Sequence, residues 1–220
     1  MAINAVFFDV GETLVDESRL WRLWAEWLGV APDAFLAALS GVIARREPHR
    51  RVFDVVRPTA DLAPFDVESA RRARAAAGWP EDVLDATDFY PDALPCLRAL
   101  RERGYVVGIA GNQPARAESV LRALGLPADV VASSERWGVA KPSPAFFARV
   151  AESVRLTPNE IAYVGDRLDN DVLPAVDAGM AGIFIRRGPW GAAHATWPEA
   201  ARATAVIDAL AELPNVLGAL

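Results

Sequence analysis

Ala5, Val6, Phe7 and Phe8 run without interruption into a single acid, Asp9, with Gly11 and Thr13 close behind. Consecutive apolar residues with no polar alternation describe a strand buried on both faces, and such strands belong to parallel sheets with helices on either side. In open α/β sheets, ligands bind beyond the carboxyl ends of the strands. Asp9 therefore stands where a nucleophile, a metal ligand or a helix-capping carboxylate would be placed.

The second half of the chain repeats the strand-to-helix texture. Residues 94–103 have helical spacing and stop at Gly104, and 105–110 form a buried strand. A helix follows over 115–124, closed by Gly125, and then a short strand over 130–132. Ser143 or Pro144 opens the next helix. Thr157, Pro158, Asn159 and Glu160 form a capping box that opens at most one turn before a strand over 161–164. A helix over 171–178, strands over 183–185 and 206–207, and a terminal helix over 210–217 complete the series. This alternation predicts an α/β fold with a parallel sheet covered on both faces.

The stretch in between has another character. Leu20, Leu23, Trp24, Trp27 and Leu28 recur at helical spacing over 17–28. A second helix is predicted over 33–46 behind Pro32, and others over 50–56 and 66–77, until Gly78, Trp79 and Pro80 break the pattern. With no convincing strand, residues 16–88 read as a helical insert, leaving residues 1–15 and 89–220 as the core. A chain of 220 residues with 52% hydrophobic content has room for both.

A formal charge of −6 argues against a nucleic-acid backbone as partner. The longest uncharged run found, residues 104–115, falls well short of the ~20 apolar residues of a spanning helix. The start of the chain lacks a basic segment and meets Asp9 too early for a signal peptide. Cys96 has no second cysteine to pair with, which fits a reducing compartment, and reads as a small buried hydrophobe. The expectation is a cytoplasmic protein with neither membrane nor nucleic-acid partner. Its oligomeric state is not encoded in any motif.

Asp9, Asn112, the region of Lys141, and Asp166 all fall at the carboxyl ends of predicted strands, and their chemistries complement one another. Phosphoryl chemistry needs a nucleophile, positive charge for the equatorial oxygens, and hydrogen-bond donors for the same oxygens. Paired carboxylates suit Mg²⁺, and Lys141, the only lysine in the chain, offers an ammonium.

In this order the residues resemble the haloacid dehalogenase-like hydrolase superfamily over nearly the whole chain. Phe7-Phe8-Asp9-Val10-Gly11-Glu12-Thr13-Leu14 resembles its first motif, and Ile109-Ala110-Gly111-Asn112 its second. Lys141-Pro142-Ser143-Pro144 resembles the third, and the segment from Val164 through Gly165 and Asp166 to Asp171 the fourth. The resemblance implies a Rossmann-like, doubly wound core, with residues 16–88 as an α-helical cap. It also implies a phosphatase of a small phosphorylated metabolite, in which Asp9 attacks phosphorus and forms an aspartyl-phosphate. Mg²⁺ would sit on Asp9, the main-chain carbonyl of Gly11, and Asp166. Gly111, Asn112 and Lys141 would hold the phosphoryl group. Asp171 would anchor Lys141 or a metal-bound water, or be a helix-start acid, and Thr13 would tie down the turn after the first strand.

Two departures stand out. The family's phosphatases usually carry a second Asp two residues after the nucleophile, which protonates the leaving group; here that position is Gly11. The second motif usually begins with Ser or Thr, and here it is Gly111. General acid–base help is worth roughly 10²- to 10⁴-fold. A slow phosphatase, one selective for good leaving groups, or one with a borrowed acid is therefore expected. Glu12 is adjacent but should point elsewhere. Metal-independent dehalogenation and a catalytically silent relative are the alternatives. Phosphonate cleavage, which in this family needs a cap lysine, fails because Lys141 is alone.

Other features have plainer readings. Trp21, Trp24 and Trp27 form a stripe that reads as core or as substrate contact. Arg45, Arg46, His49, Arg50 and Arg51 read as a solvated face or an anion-facing patch. His49 and His194 are solitary histidines without ligand-like neighbours. Arg186, Arg187, Gly188, Pro189, Trp190 and Gly191 follow a strand end and read either as a border of the site or as a plain turn.

Overall fold

The computed structural model describes residues 2–57, 64–81 and 83–220. The chain divides into two compact units, one formed by Met1–Asp16 with Asp85–Leu220, the other by Glu17–Leu84.

The first unit is built on a six-stranded sheet in the order β3-β2-β1-β4-β5-β6. Its strands are β1 (Ala5–Phe8), β2 (Val106–Gly111), β3 (Val130–Ser133), β4 (Ile161–Gly165), β5 (Ala181–Ile185) and β6 (Ala205–Ile207). Every pairing is parallel. The fold is the Rossmann-like α/β arrangement expected. β1 lies centrally, with Ala5 opposite both Val106 of β2 and Ile161 of β4. All four of its residues are inaccessible to solvent, which explains the absence of polar alternation. The order runs β1 to β3 in one direction and β4 to β6 in the other, so the topological switch lies between β1 and β4. Asp9 and Asp166 follow the ends of these two strands.

Seven helices of this unit connect or flank the strands: Ala93–Glu102, Ala115–Ala123, Ser134–Trp137, Pro144–Val154, Leu173–Asp177, Gly188–His194 and Leu213–Gly218. Pro144–Val154 places Phe146, Phe147 and Val150 in one core cluster with Ala5 and Phe7 of β1 and Ile161 and Tyr163 of β4. Successive side chains alternate across a sheet, so Val6 and Phe8 serve the opposite face. A fully buried side chain of this size contributes roughly 1.5–3 kcal/mol, which makes these strands the most strongly specified part of the chain.

The expected helix over 171–178 is observed as a π-turn, Leu168–Val172, running into Leu173–Asp177. The terminal helix likewise begins as a 3-10 turn, Leu210–Glu212. Gly188–His194 is a helix where a plain turn was one of the two readings.

The second unit contains α1 (Ser18–Trp27), α2 (Pro32–Ala44), α3 (Arg51–Val56) and α4 (Val67–Ala76). Trp24 is buried, edge-on to Phe53 at 5.0 Å, with the Arg74 guanidinium 4.4 Å from its ring. Trp21 stacks on Phe35 and Trp27 meets Trp79, so the tryptophan stripe packs within its own unit. The neighbouring arginines are partly matched by acids: Arg45 bonds Glu47, and Arg51 bonds Asp54. Residues 85–88, expected inside the insert, group with the first unit, where Asp85 caps a single turn and the Asp88 carbonyl accepts the N–H of Asp16. Residues 58–63 and 82 of the expected insert lie outside the described residues. Among the described residues no single helix is long and apolar enough to cross a membrane.

Candidate active site

The carboxyl ends of β1, β2 and β4 bring Asp9, Gly111 and Asp166 to one edge of the sheet. The N–H of Asp9 is still held by the carbonyl of Val164, so the nucleophile candidate is fixed to the neighbouring strand. Beyond Asp9 the chain turns tightly, with the Val10 carbonyl accepting from the N–H groups of Leu14 and Val15. Glu12 takes a left-handed conformation at φ 52°. Its buried carboxylate accepts a hydrogen bond from the Tyr90 hydroxyl at 2.7 Å. The carboxylate thus lies against Tyr90, in keeping with the expectation that Glu12 points elsewhere.

Lys141 Nζ donates to Asp9 Oδ1 and to Asp171 Oδ1, each at 2.6 Å. Its side chain is inaccessible to solvent. An unpaired ammonium in such a place would cost several kcal/mol, so both carboxylates are needed to keep it charged and buried. Burial pulls Lys141 towards neutrality, but Asp171 and Asp9 outweigh it and hold the amine well above the ordinary lysine range. The rings of Tyr163 and Phe146 lie 5.4 and 5.9 Å from the same nitrogen. Tyr163 also donates its hydroxyl to the carbonyl of Ala110 at 2.6 Å, tying β4 to the residue before Gly111.

Asn112 spends its side chain on the main chain of Lys141. Its Oδ1 accepts the Lys141 N–H at 2.8 Å and its Nδ2 donates to the Lys141 carbonyl at 2.9 Å. These two bonds fix the Asn112 side chain against the Lys141 backbone and leave one of the two Nδ2 hydrogens uncommitted to Lys141. Gly111 has its own geometric reason: a Cβ there would stand 2.7 Å from Asp9 Oδ1. The space that a Ser or Thr would occupy is filled by the Asp9 carboxylate.

Asp9, Asp166 and Asp171 present carboxylate oxygens that all lie within 4.8 Å of one another. Burial raises Asp166 well above the usual carboxylate range, and repulsion from Asp171, Asp9 and Glu12 adds to it. Burial also pushes Asp171 up, to about 6, although Lys141 pulls in the other direction. Three acids around one ammonium leave a double negative charge when all are ionised. A hard divalent cation with oxygen ligands matches both the charge and the donor type. Asp171 has little left to offer such an ion, since its Oδ2 accepts the Arg167 N–H at 3.1 Å while its Oδ1 holds Lys141. The Thr13 hydroxyl faces Asp166 Oδ1 at 3.5 Å. Gly11 bridges to Val15 within the turn.

A family model of haloacid dehalogenase-like hydrolases matches residues 3–179. The chain belongs to that family. This haloacid dehalogenase-like hydrolase is 34% identical over 204 residues to the glyceraldehyde 3-phosphate phosphatase of Methanopyrus kandleri, covering 86% of each chain. It is 32% identical over 163 residues to the phosphoglycolate phosphatase of Rhodospirillum rubrum, covering 72% of this chain and 65% of that one. A crystal structure of a predicted phosphoglycolate phosphatase from Haemophilus somnus superposes with a TM-score of 0.73 over 98% of both chains at 19% identity, which speaks to the fold.

Some residues of this hydrolase site carry no sequence signal. Arg187 donates to the Thr13 carbonyl at 3.1 Å and to Asp92 at 2.6 Å, so it borders the turn after β1, whereas Arg186 pairs with Asp208. Tyr90 and Tyr163 give no signal because an aromatic near a strand looks like ordinary core, and His194, a solitary histidine, gives none for its bond to Leu168. Only the adjacency of the Arg pair to a strand end hinted at the contact.

Proposed function

We propose that this chain is a Mg²⁺-dependent phosphatase of a small phosphorylated metabolite, acting through an aspartyl-phosphate on Asp9. The observation that carries this reading is the Lys141 ammonium bridging Asp9 and Asp171 at 2.6 Å, with Asp166 beside them. The similarity to phosphatases of glyceraldehyde 3-phosphate and of phosphoglycolate points to short phosphorylated aldehydes or acids as the substrate class.

In this reading an Asp9 oxygen attacks phosphorus, the ester P–O bond breaks, and water later releases phosphate from Asp9. Lys141 neutralises charge on the phosphoryl oxygens and leaves Asp9 as they arrive. The main-chain N–H groups at Gly111 and Asn112 donate to the same oxygens, while the Asn112 side chain keeps Lys141 in place. Asp9, the Gly11 carbonyl and Asp166 would hold Mg²⁺, which supplies positive charge at the transferring group. Asp171 anchors Lys141, and Thr13 steadies Asp166. With Gly11 in place of an acid, the leaving oxygen takes its proton from solvent, so good leaving groups are favoured. We assign the helical unit, Glu17–Leu84, the role of α-helical cap, the part that sets substrate choice, and place the enzyme in the reducing cytoplasm, where the buried Cys96 stays a thiol.

A panel of phosphorylated aldehydes, acids, sugars and nucleotides, assayed with Mg²⁺ and with chelator, tests this function. Turnover that needs Mg²⁺ and disappears in Asp9→Asn is expected. Metal-independent turnover of 2-haloacids, or binding without turnover, would overturn it.

A further inference from the structure

Leu168 opens the π-turn Leu168–Val172, which follows Asp166 and contains Asp171, and such turns are uncommon and concentrate at functional sites. Within the turn, the Arg167 carbonyl accepts from Asp171 N–H at 2.9 Å and from Val172 N–H at 3.2 Å. The Arg167 N–H returns to Asp171 Oδ2. The Leu168 side chain is fully buried with Val172 and Phe184. Its N–H, being at the first turn, has no partner within the helix, and a buried orphan of this kind costs about 1–3 kcal/mol.

His194 meets that need. The last residue of Gly188–His194, it is 1% exposed, and its Nδ1 accepts the Leu168 N–H at 2.9 Å. An Nδ1 that accepts carries no proton, so the ring is neutral, with its hydrogen on Nε2. Stacking on Trp197, with centroids 3.8 Å apart at 29°, fixes the ring plane. Asp169, 4.0 Å from Nδ1, is itself engaged by Arg167 at 3.1 and 2.8 Å.

We infer that His194 is a positioning residue for the acidic turn: by capping Leu168 it fixes the backbone that presents Asp166 to the divalent cation and Asp171 to Lys141. It touches neither substrate nor metal and acts through main chain two residues beyond Asp166. The inference rests on the phosphatase reading for its metal, but the geometry of the turn is independent of it.

Two substitutions that both remove the ring separate this role from bulk packing. Asparagine places an acceptor at the reach of Nδ1, whereas glutamine places its polar atoms at the reach of Nε2. Mg²⁺ binding to the full chain is measured by calorimetry, and hydrogen exchange of the amides over 167–172 is measured without metal. His194→Gln is expected to weaken Mg²⁺ about tenfold, in line with the loss of an outer partner at a metal site, and to speed exchange at Leu168. His194→Asn is expected to stay within about threefold of the parent in both. Equal behaviour of the two variants, or a His194→Gln protein that keeps parental Mg²⁺ affinity and slow Leu168 exchange, overturns the inference. If the parent itself binds no Mg²⁺, the phosphatase reading falls, and the exchange comparison alone decides the role of His194.

Discussion

At the residue scale the site is governed by charge confined in a dry space. Asp171 is raised from 3.8 to about 6 by burial, and Asp166 is raised as well. A carboxylate whose folded-state value is raised favours the folded protein fully below its unfolded value, and that contribution is lost as pH rises through the folded value. Lys141, raised above its ordinary value, stays charged throughout this window. Urea unfolding of the metal-free protein is therefore expected to show stability falling by a few kcal/mol between about pH 4 and 7. Millimolar Mg²⁺ should restore most of the loss at pH 7. Metal-free stability that rises over the same interval would contradict this electrostatic account. Gly11 governs the other half of the chemistry. Gly11→Asp should raise kcat on alkyl phosphates by about 10²-fold and flatten the dependence on leaving-group acidity, since it supplies the missing acid. Unchanged leaving-group dependence would show that another group already donates the proton. Asp9, Lys141 and Asp166 were legible because each stands after an apolar strand or, for Lys141, is unique in the chain. Asn112 was legible as a site residue, but its use was not: nothing in the sequence says that both its amide atoms turn to the Lys141 main chain.

At the element scale, what could be read depended on burial. β1, β2 and β4 are short, uncharged and almost wholly apolar, with Tyr163 the one polar-tipped side chain, so their existence and parallel pairing follow from the pattern. Gly188–His194 has no comparable pattern: with two glycines and a proline in seven residues it resembles a turn, and it is held by tertiary contact, not propensity. The π-turn Leu168–Val172 is hidden for a similar reason, because the bonds at its start, Arg167 N–H to Asp171 and Leu168 N–H to His194, follow no sequence periodicity. Gly165 at the end of β4 shows how tightly this turn closes. A Cβ there would overlap the Cβ of Asp171, and no rotamer change relieves that contact. Gly165→Ala is expected to lower stability by about 1–3 kcal/mol in denaturant unfolding and to loosen the Lys141–Asp171 pair. A variant as stable as the parent would mean that the turn is softer than its packing implies.

At the scale of the whole molecule, the chain builds its candidate chemistry entirely from the first unit. Asp9 comes from before residue 17, and Gly111, Asn112, Lys141, Asp166 and Asp171 from after residue 84. The helical unit interrupts the sequence of that site without contributing any of these residues. The division was legible from the shift between all-helical and alternating texture, though its far end was not, because Asp85–Asp88 forms a turn that bonds back to Asp16. Substrate choice had no legible code, since residues that select a substrate follow no periodicity. The claim on which the molecule's function turns is that Asp9 carries the phosphoryl group. Rapid acid quenching during turnover with Mg²⁺, followed by peptide mass mapping, measures this directly. A phosphoryl adduct on Asp9 that hydroxylamine removes, and that Asp9→Asn never forms, is the predicted result; steady turnover with no adduct on Asp9, or with the adduct elsewhere, would contradict it.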